Sequence, residues 1–157
     1  MVQEIKKIAF SAGELSGDQH GAKLLLALKA SMPNTQFAGM GGKNLAEAGL
    51  QIVIDSEKSG GINGFNLWKI LTSGLGSLIQ AIVFLYRWRP EVLILIDYPD
   101  FNLRLARVAK LLGIKTVYFI PPKIWAWRSK RIKYFHKSID QVLTIFPFET
   151  EFFHQNK

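Results

Sequence analysis

Val92-Leu93-Ile94-Leu95-Ile96 is an unbroken apolar run that ends at Asp97. A strand that is apolar at every position is typical of the centre of a parallel sheet, because helices cover both of its faces. Short apolar runs alternate along the chain with longer segments of helical period, as they do in βαβ units. The sequence therefore predicts an α/β fold, a doubly wound parallel sheet of Rossmann-like type with this strand near its middle.

The same alternation predicts the other elements. Strands are expected at 5–10, 36–40, 51–54, 92–96, 115–120 and 141–145. A first helix of about three turns is expected around Leu24, Leu25 and Leu28, before Pro33. Further helices are expected at 43–48, 67–88, 101–112, 128–137 and 148–154. Right-handed crossovers give the strand order 3-2-1-4-5-6, and ligands of such sheets bind where that order reverses, outside strands one and four.

Composition limits the function classes. The chain has 157 residues, 48% of them hydrophobic, which predicts one domain with its own core. It has no cysteine, which excludes disulfides, zinc thiolate sites, iron-sulfur clusters and a cysteine nucleophile, and fits a reducing compartment. The net charge of +8 favours an anionic partner: nucleic acid, a phosphorylated ligand or an acidic membrane surface.

Export and membrane insertion are not expected. The few residues before the first predicted strand lack the apolar stretch and cleavage site of a signal peptide. The uncharged segment 70–86 is shorter and more polar than the roughly 20 apolar residues of a spanning helix. It is predicted to form a helix that lies in or on the domain.

Two loops are expected to meet outside the carboxyl ends of strands one and four and to line a ligand-binding crevice there. The first loop is Ser11-Ala12-Gly13-Glu14-Leu15-Ser16-Gly17-Asp18. Its glycines, with Gly21 beyond, permit close backbone approach, and the following helix offers its first amides to an anion. The glycine spacing matches neither the dinucleotide fingerprint nor a Walker A loop, so nicotinamide and ATP are not expected. The alternative is a plain helix start in which Ser16 or Asp18 is the cap.

The second loop begins with Asp97, whose carboxylate is expected to point into a partly dry crevice, as a general base requires. The residues alone leave an equal alternative, in which Asp97 or Asp100 caps the helix that begins at Pro99. His20, His136 and His154 are expected to be solvated or packing side chains. Asp97 is the better candidate for a base.

A basic and aromatic strip follows the fifth strand. Its tryptophans and cations are Trp125, Trp127, Arg128, Lys130, Arg131 and Lys133. Such a mixture can bind phosphate, a sugar face, a nucleobase or lipid headgroups. The alternative is a solvated basic helix with its tryptophans packed on the sheet edge. Nucleic-acid binding is not expected, because no recognised motif accompanies the charge.

The helix predicted at 67–88 is more apolar than one core-facing stripe requires. Leu67, Trp68 and Leu71 at its start are candidates for contact with lipid. Core packing alone is the alternative, since long helices in α/β domains are often apolar on two sides.

Four motifs together resemble the lipid-A-disaccharide synthase family. They are the Ser11 to Asp18 loop, Ile96-Asp97-Tyr98-Pro99-Asp100-Phe101-Asn102, Ile124-Trp125-Ala126-Trp127-Arg128 and Phe146-Pro147-Phe148-Glu149. The resemblance covers the whole chain but only the first half of the family's length. It implies that 1–157 is the acceptor-side domain of a GT-B glycosyltransferase, with the nucleotide-sugar domain outside this chain. The chain departs from the family pattern at Asn63-Gly64-Phe65-Asn66-Leu67, where an acid is lost, and at Pro121 and Lys123, where the family usually has serine.

The resemblance implies an inverting reaction that needs no metal or other cofactor. UDP-2,3-diacylglucosamine and 2,3-diacylglucosamine 1-phosphate would give the β-1,6 lipid A disaccharide 1-phosphate and UDP. Asp97 matches the family's essential aspartate and would be the base on the acceptor's 6-hydroxyl. Residues implied for substrate binding or orientation are Gly13, Glu14, Ser16, Gly17, Asp18, Asp100, Asn102, Trp125, Trp127 and Arg128.

The resemblance also implies a location, cytoplasmic and peripheral on the inner membrane. Leu67, Trp68 and Leu71, together with Lys130, Arg131 and Lys133, would contact its anionic surface. The isolated chain is expected to be inactive. Two alternatives stay open: a noncatalytic module that binds anionic lipid or a phosphorylated sugar, and another nucleotide-sugar transferase of the same architecture.

Overall fold

The computed structural model describes residues 5–56, 67–121 and 135–145, with the backbone alone over 67–73. The elements in chain order are β1 (Lys7–Ala12), α1 (Leu15–Ser31), β2 (Gln36–Gly41), α2 (Lys43–Glu47), β3 (Gln51–Asp55), α3 (Leu67–Trp88), β4 (Val92–Ile96), α4 (Pro99–Leu111), β5 (Lys115–Phe119) and β6 (Gln141–Leu143). Residues 135–138 form one more helical turn before β6.

The strands form one parallel sheet in the order β3-β2-β1-β4-β5-β6. Both the α/β class and the predicted strand order are confirmed. The apolar run that ends at Asp97 is β4, with the predicted bounds, and it lies between β1 and β5. Its side chains alternate between two cores: Leu93 and Leu95 pack with α3 and α4, while Ile94 and Ile96 pack with α1 and α2. Burial on both faces explains why no position of this strand is polar.

Several element ends differ from the prediction. β1 lies two residues later than 5–10, because Ser11 and Ala12 pair with Leu95 and Ile96 of β4. The ladder therefore continues into residues expected to form a loop. α4 begins at Pro99 instead of residue 101, since proline suits the first helical position. β6 ends at Leu143.

α1 is longer than the three turns expected, because it begins at Leu15 and runs for 17 residues. Gly17 and Gly21 lie buried within it, although glycine is a poor helix former. A Cβ atom at Gly21 would lie 2.8 Å from Ile96 Cδ1. The two glycines thus let the helix pack close to β4. Of the helices predicted last, residues 128–134 and 148–154 lie outside the described residues.

Candidate active site

The carboxyl ends of β1 and β4 are neighbours, and they bring the two predicted loops together. The strand register pairs Ala12 with Ile96, so the chain leaves both strands at the same level. The Ser16 hydroxyl then donates a hydrogen bond to Asp97 Oδ2 across the gap, over 3.2 Å. This gap at the switch point of the sheet is the candidate active site.

The turn after β4 is left-handed at two successive residues. Asp97 and Tyr98 both have a φ of 49°. Tyr98 is the N-cap of α4 but makes no capping hydrogen bond through its side chain. Asp97 therefore precedes the helix, is partly exposed and has its carboxylate bonded to Ser16 of the opposite loop. This geometry fits a side chain presented to the crevice better than it fits a helix cap.

A buried network lies beneath the turn. Asn102 is fully buried, and its Nδ2 donates to the Asp97 carbonyl over 2.7 Å. Its Oδ1 accepts a hydrogen bond of 2.7 Å from the Ser11 hydroxyl. The Tyr118 hydroxyl donates to the same Asp97 carbonyl, also over 2.7 Å. Asn102, expected among the binding or orienting residues, thus supports the turn from below.

Neither Ser11 nor Tyr118 was predicted to be a site residue. Ser11 stands in the first motif, but its position in β1 was assigned to the loop. Tyr118 has the pattern of any large core residue of a strand. Only the register of β5 on β4, which pairs Tyr118 with Leu95, brings its hydroxyl under the turn.

Asp18 is buried and is hydrogen-bonded to the start of α2. Its side chain is 1% exposed, and both carboxylate oxygens accept hydrogen bonds from the turn between β2 and α2. Oδ1 accepts from the amides of Gly42 and Leu45, over 2.6 and 3.2 Å, and Oδ2 from the amide and the Nδ2 of Asn44, over 2.8 Å each. These amides belong to the first turn of α2, where a helix leaves its amides without internal partners. Asp18 therefore caps α2 and does not face the crevice as expected of a binding residue.

Gly13 and Gly17 were predicted to bind substrate, but each is packed against another residue of the chain. A Cβ atom at Gly13 would lie 2.2 Å from the ring of Tyr98, which covers that position and stacks on Phe101. A Cβ atom at Gly17 would lie 3.3 Å from the Ile96 carbonyl. The missing side chains give room to the Asp97 turn and to the strand before it.

Glu14, Ser16 and Asp100 are exposed around the opening of the crevice. Partial burial, and then the negative charge of Asp97, raise the pKa of the Glu14 carboxyl. Glu14 and Asp97 are thus close enough for their charges to interact. Two carboxylates beside a hydroxyl can accept a proton and bind sugar hydroxyl groups.

The other predicted contact residues cannot be assigned to the crevice. Trp125, Trp127, Arg128, Lys130, Arg131 and Lys133 lie outside the described residues, as does Lys123. Leu67, Trp68 and Leu71 belong to the first turns of α3, where the backbone alone is described.

Beyond those turns, α3 carries exposed apolar side chains along one side. The exposed fractions are 56% for Leu75, 54% for Ile79, 40% for Val83 and 59% for Tyr86. The opposite side packs Ala81 and Leu85 into the core. An open groove of about 600 Å³ separates α3 from β3. Most of the side chains that line it are apolar, and the polar ones are Gln51, Gln80 and Arg87. Packing against the described residues therefore leaves this side of α3 exposed.

None of the helices within 5–56, 67–121 and 135–145 combines the length and apolarity needed to cross a membrane.

A family model described as lipid-A-disaccharide synthetase matches residues 8–157. The chain belongs to this family. Among curated lipid-A-disaccharide synthases, that of Nitrosococcus oceani is 38% identical over 94% of this chain, and that of Trichlorobacter lovleyi 39% identical over 96%. Lipid-A-disaccharide synthase 1 of Legionella pneumophila strain Philadelphia 1 is 42% identical over 91%. The chain spans 38% to 39% of the length of these relatives.

Solved structures agree with the family on the fold. MurG of Acinetobacter baumannii superposes with a TM-score of 0.59 at 13% identity, covering 91% of this chain and 41% of MurG. The glycosyltransferase SnogD of Streptomyces nogalater has a TM-score of 0.56 at 19% identity, covering 92% of this chain and 45% of SnogD. This member of the lipid-A-disaccharide synthetase family therefore shares its α/β fold with part of each of these two proteins.

Proposed function

We propose that the full-length protein is a glycosyltransferase of lipid A biosynthesis in which Asp97 is the general base. The observation that carries this proposal is the Asp97 carboxylate at the switch point, partly exposed and bonded to Ser16 across the crevice. Membership of the lipid-A-disaccharide synthetase family supplies the reaction class. From the motifs that resemble this family, we further propose UDP-2,3-diacylglucosamine as the donor and 2,3-diacylglucosamine 1-phosphate as the acceptor.

The proposed reaction is a single displacement at the anomeric carbon of the donor sugar. The acceptor's 6-hydroxyl oxygen attacks the anomeric carbon as its proton passes to Asp97, and the bond from that carbon to UDP breaks with its electron pair leaving on UDP. Attack from the face opposite UDP inverts the anomeric carbon. Ser16, through its hydrogen bond, would hold the Asp97 carboxylate toward the acceptor. Glu14 and Asp100 at the opening would bind its sugar hydroxyls.

The donor is proposed to bind a second domain, which would close on this one. Family relatives are more than twice as long as this chain, which leaves room for such a domain. On this proposal the isolated chain has no turnover. The carboxylates of the crevice would repel the diphosphate of a UDP-sugar, in keeping with an acceptor-side role.

The test is Asp97→Asn in the full-length protein, with UDP release measured from both lipid substrates. We expect kcat to fall by about 10²- to 10⁴-fold, with little change in KM or Tm, because the amide keeps the shape but cannot take the proton. Asp100→Asn, a matched change in the same turn, should cost less than about tenfold. Turnover by Asp97→Asn above one tenth of the wild-type rate would refute the role of base.

We further propose that α3 docks the protein on the anionic inner membrane. The side chains that support this proposal are the exposed apolar ones Leu75, Ile79, Val83 and Tyr86, which recur at the three- and four-residue spacing of one helix face. The net charge of +8 adds attraction to anionic headgroups. Docking there would present the crevice to substrates that carry acyl chains.

Vesicle sedimentation tests the docking. Replacing Ile79 and Val83 together by serine should weaken binding to phosphatidylglycerol-containing vesicles by about tenfold or more, since each buried aliphatic side chain contributes about 1.5–3 kcal/mol. Leu26→Ser is the control, because Leu26 is 57% exposed on α1, which packs in the other core, on the opposite side of the sheet from α3. Equal binding by both variants would exclude α3 as the docking face.

A further inference from the structure

The carbonyl oxygen of Asp97 receives two buried hydrogen bonds. Asn102 Nδ2 and the Tyr118 hydroxyl each lie 2.7 Å from it. Asn102 belongs to α4, just after the turn, whereas Tyr118 belongs to β5, 21 residues beyond Asp97. One of the two donors is therefore independent of the turn itself.

The backbone that these donors hold is strained. Left-handed φ angles are uncommon outside glycine, and a bulky residue such as Tyr98 tolerates them less well than an aspartate does. Such strain costs about 1–3 kcal/mol per residue and persists only where the surroundings over-determine it. Two such residues in succession, at 49° each, need fixed partners on more than one side.

Tyr118 is itself fixed. Its side chain is fully buried, with its ring packed against Phe135 at a centroid distance of 5.4 Å. Burial, and then the charge of Asp97, raise the pKa of the hydroxyl, which therefore stays protonated as a donor. Because it has no exposed surface, Tyr118 cannot touch a substrate in the crevice.

We infer that Tyr118 is a positioning residue for the reaction, whose hydroxyl holds the left-handed turn that points the Asp97 carboxylate at the acceptor. The inference rests on the proposed role of Asp97. Without the hydroxyl, Asn102 is the one described residue left to bond the carbonyl, and the turn can relax toward ordinary φ angles that swing the carboxylate away. Displacements of about 1 Å at a reacting group can cost about a hundredfold in rate.

The experiment compares Tyr118→Phe with Thr116→Val in the full-length protein. Thr116 lies two residues earlier on β5, is fully buried, and donates its hydroxyl to the Ser138 carbonyl over 2.8 Å. Each change removes one buried hydroxyl that bonds a carbonyl, and Thr116→Val also removes the acceptor of the Asp140 amide, over 3.1 Å, so it should lower Tm at least as much as Tyr118→Phe. Only Tyr118→Phe should lower kcat, by about 10- to 100-fold, with KM for the acceptor within about threefold.

Hydrogen exchange of peptides that span 97–102 gives a second readout that does not need turnover. Tyr118→Phe should speed exchange there, while Thr116→Val should not. If kcat falls no further in Tyr118→Phe than in Thr116→Val, or if exchange is unchanged, the positioning role is overturned. Failure of the proposed base is a separate result, because it appears as turnover by Asp97→Asn and leaves the exchange of the turn unaffected.

Discussion

Asp18 and Asp97 stand at the same end of the sheet and in two of the four motifs that resemble the family, yet their surroundings differ. Asp18 accepts four hydrogen bonds from the start of α2 and is almost fully buried. Asp97 accepts one from Ser16 on its carboxylate and stays partly exposed. A carboxylate whose acceptor sites are filled by the fold stabilises the fold. Among the described residues the Asp97 carboxylate has acceptor sites left over, which makes it the one available for chemistry.

Asp18→Asn tests this contrast with the largest expected effect on stability. An amide would turn one donor toward the amides of α2, so the unfolding free energy should fall by about 3 kcal/mol. Urea unfolding gives the value. Asp97→Asn should change it by less than about 1 kcal/mol. The contrast breaks if both substitutions leave stability unchanged and Asp18→Asn instead weakens acceptor binding.

The pKa of Glu14 sharpens the contrast with a smaller effect. Burial and the charge of Asp97 raise it, so Asp97→Asn should bring it part of the way back to its ordinary value. Asp100→Asn, the neighbouring exposed acid, should move it less. Side-chain carboxyl NMR titration measures both. An unchanged pKa in Asp97→Asn would mean that the two carboxylates do not share the crevice.

The sign for stability follows from the same shift. A carboxyl whose folded pKa is raised lowers the unfolding free energy as pH rises from its ordinary pKa through the raised one. Glu14→Gln should remove that fall.

Much of the fold could be predicted because local patterns determine it. β4 and α3 have the predicted bounds, since an apolar run between two covered faces and a long helical period leave little choice. The strand order followed from the handedness of crossovers. The start of α1 was missed, because Gly17 and Gly21 suggested a loop, and only the approach of Ile96 explains glycine inside a helix there.

The site divides in the same way. The proximity of Asp97 to Glu14 and Ser16 could be predicted from the sequence, because the strand order alone puts both loops at the switch point. It could not assign Asp18, whose partners lie 24 to 27 residues away on another loop. Nor could it find Tyr118, whose contribution depends on one hydroxyl and the register of a neighbouring strand.

The hydrogen bond between Ser11 and Asn102 joins residues 91 positions apart. Closing a loop of that length carries a large entropy cost, which local contacts cannot offset until the intervening elements have formed. In chain order β2 follows β1 directly, whereas β4, the other partner of β1, is synthesised much later. A chain interrupted before residue 118 therefore carries the Asp97 carboxylate without the tyrosine beneath its turn. The turn that carries the candidate base thus has its full set of hydrogen bonds only when residues from 11 to 118 are all in place.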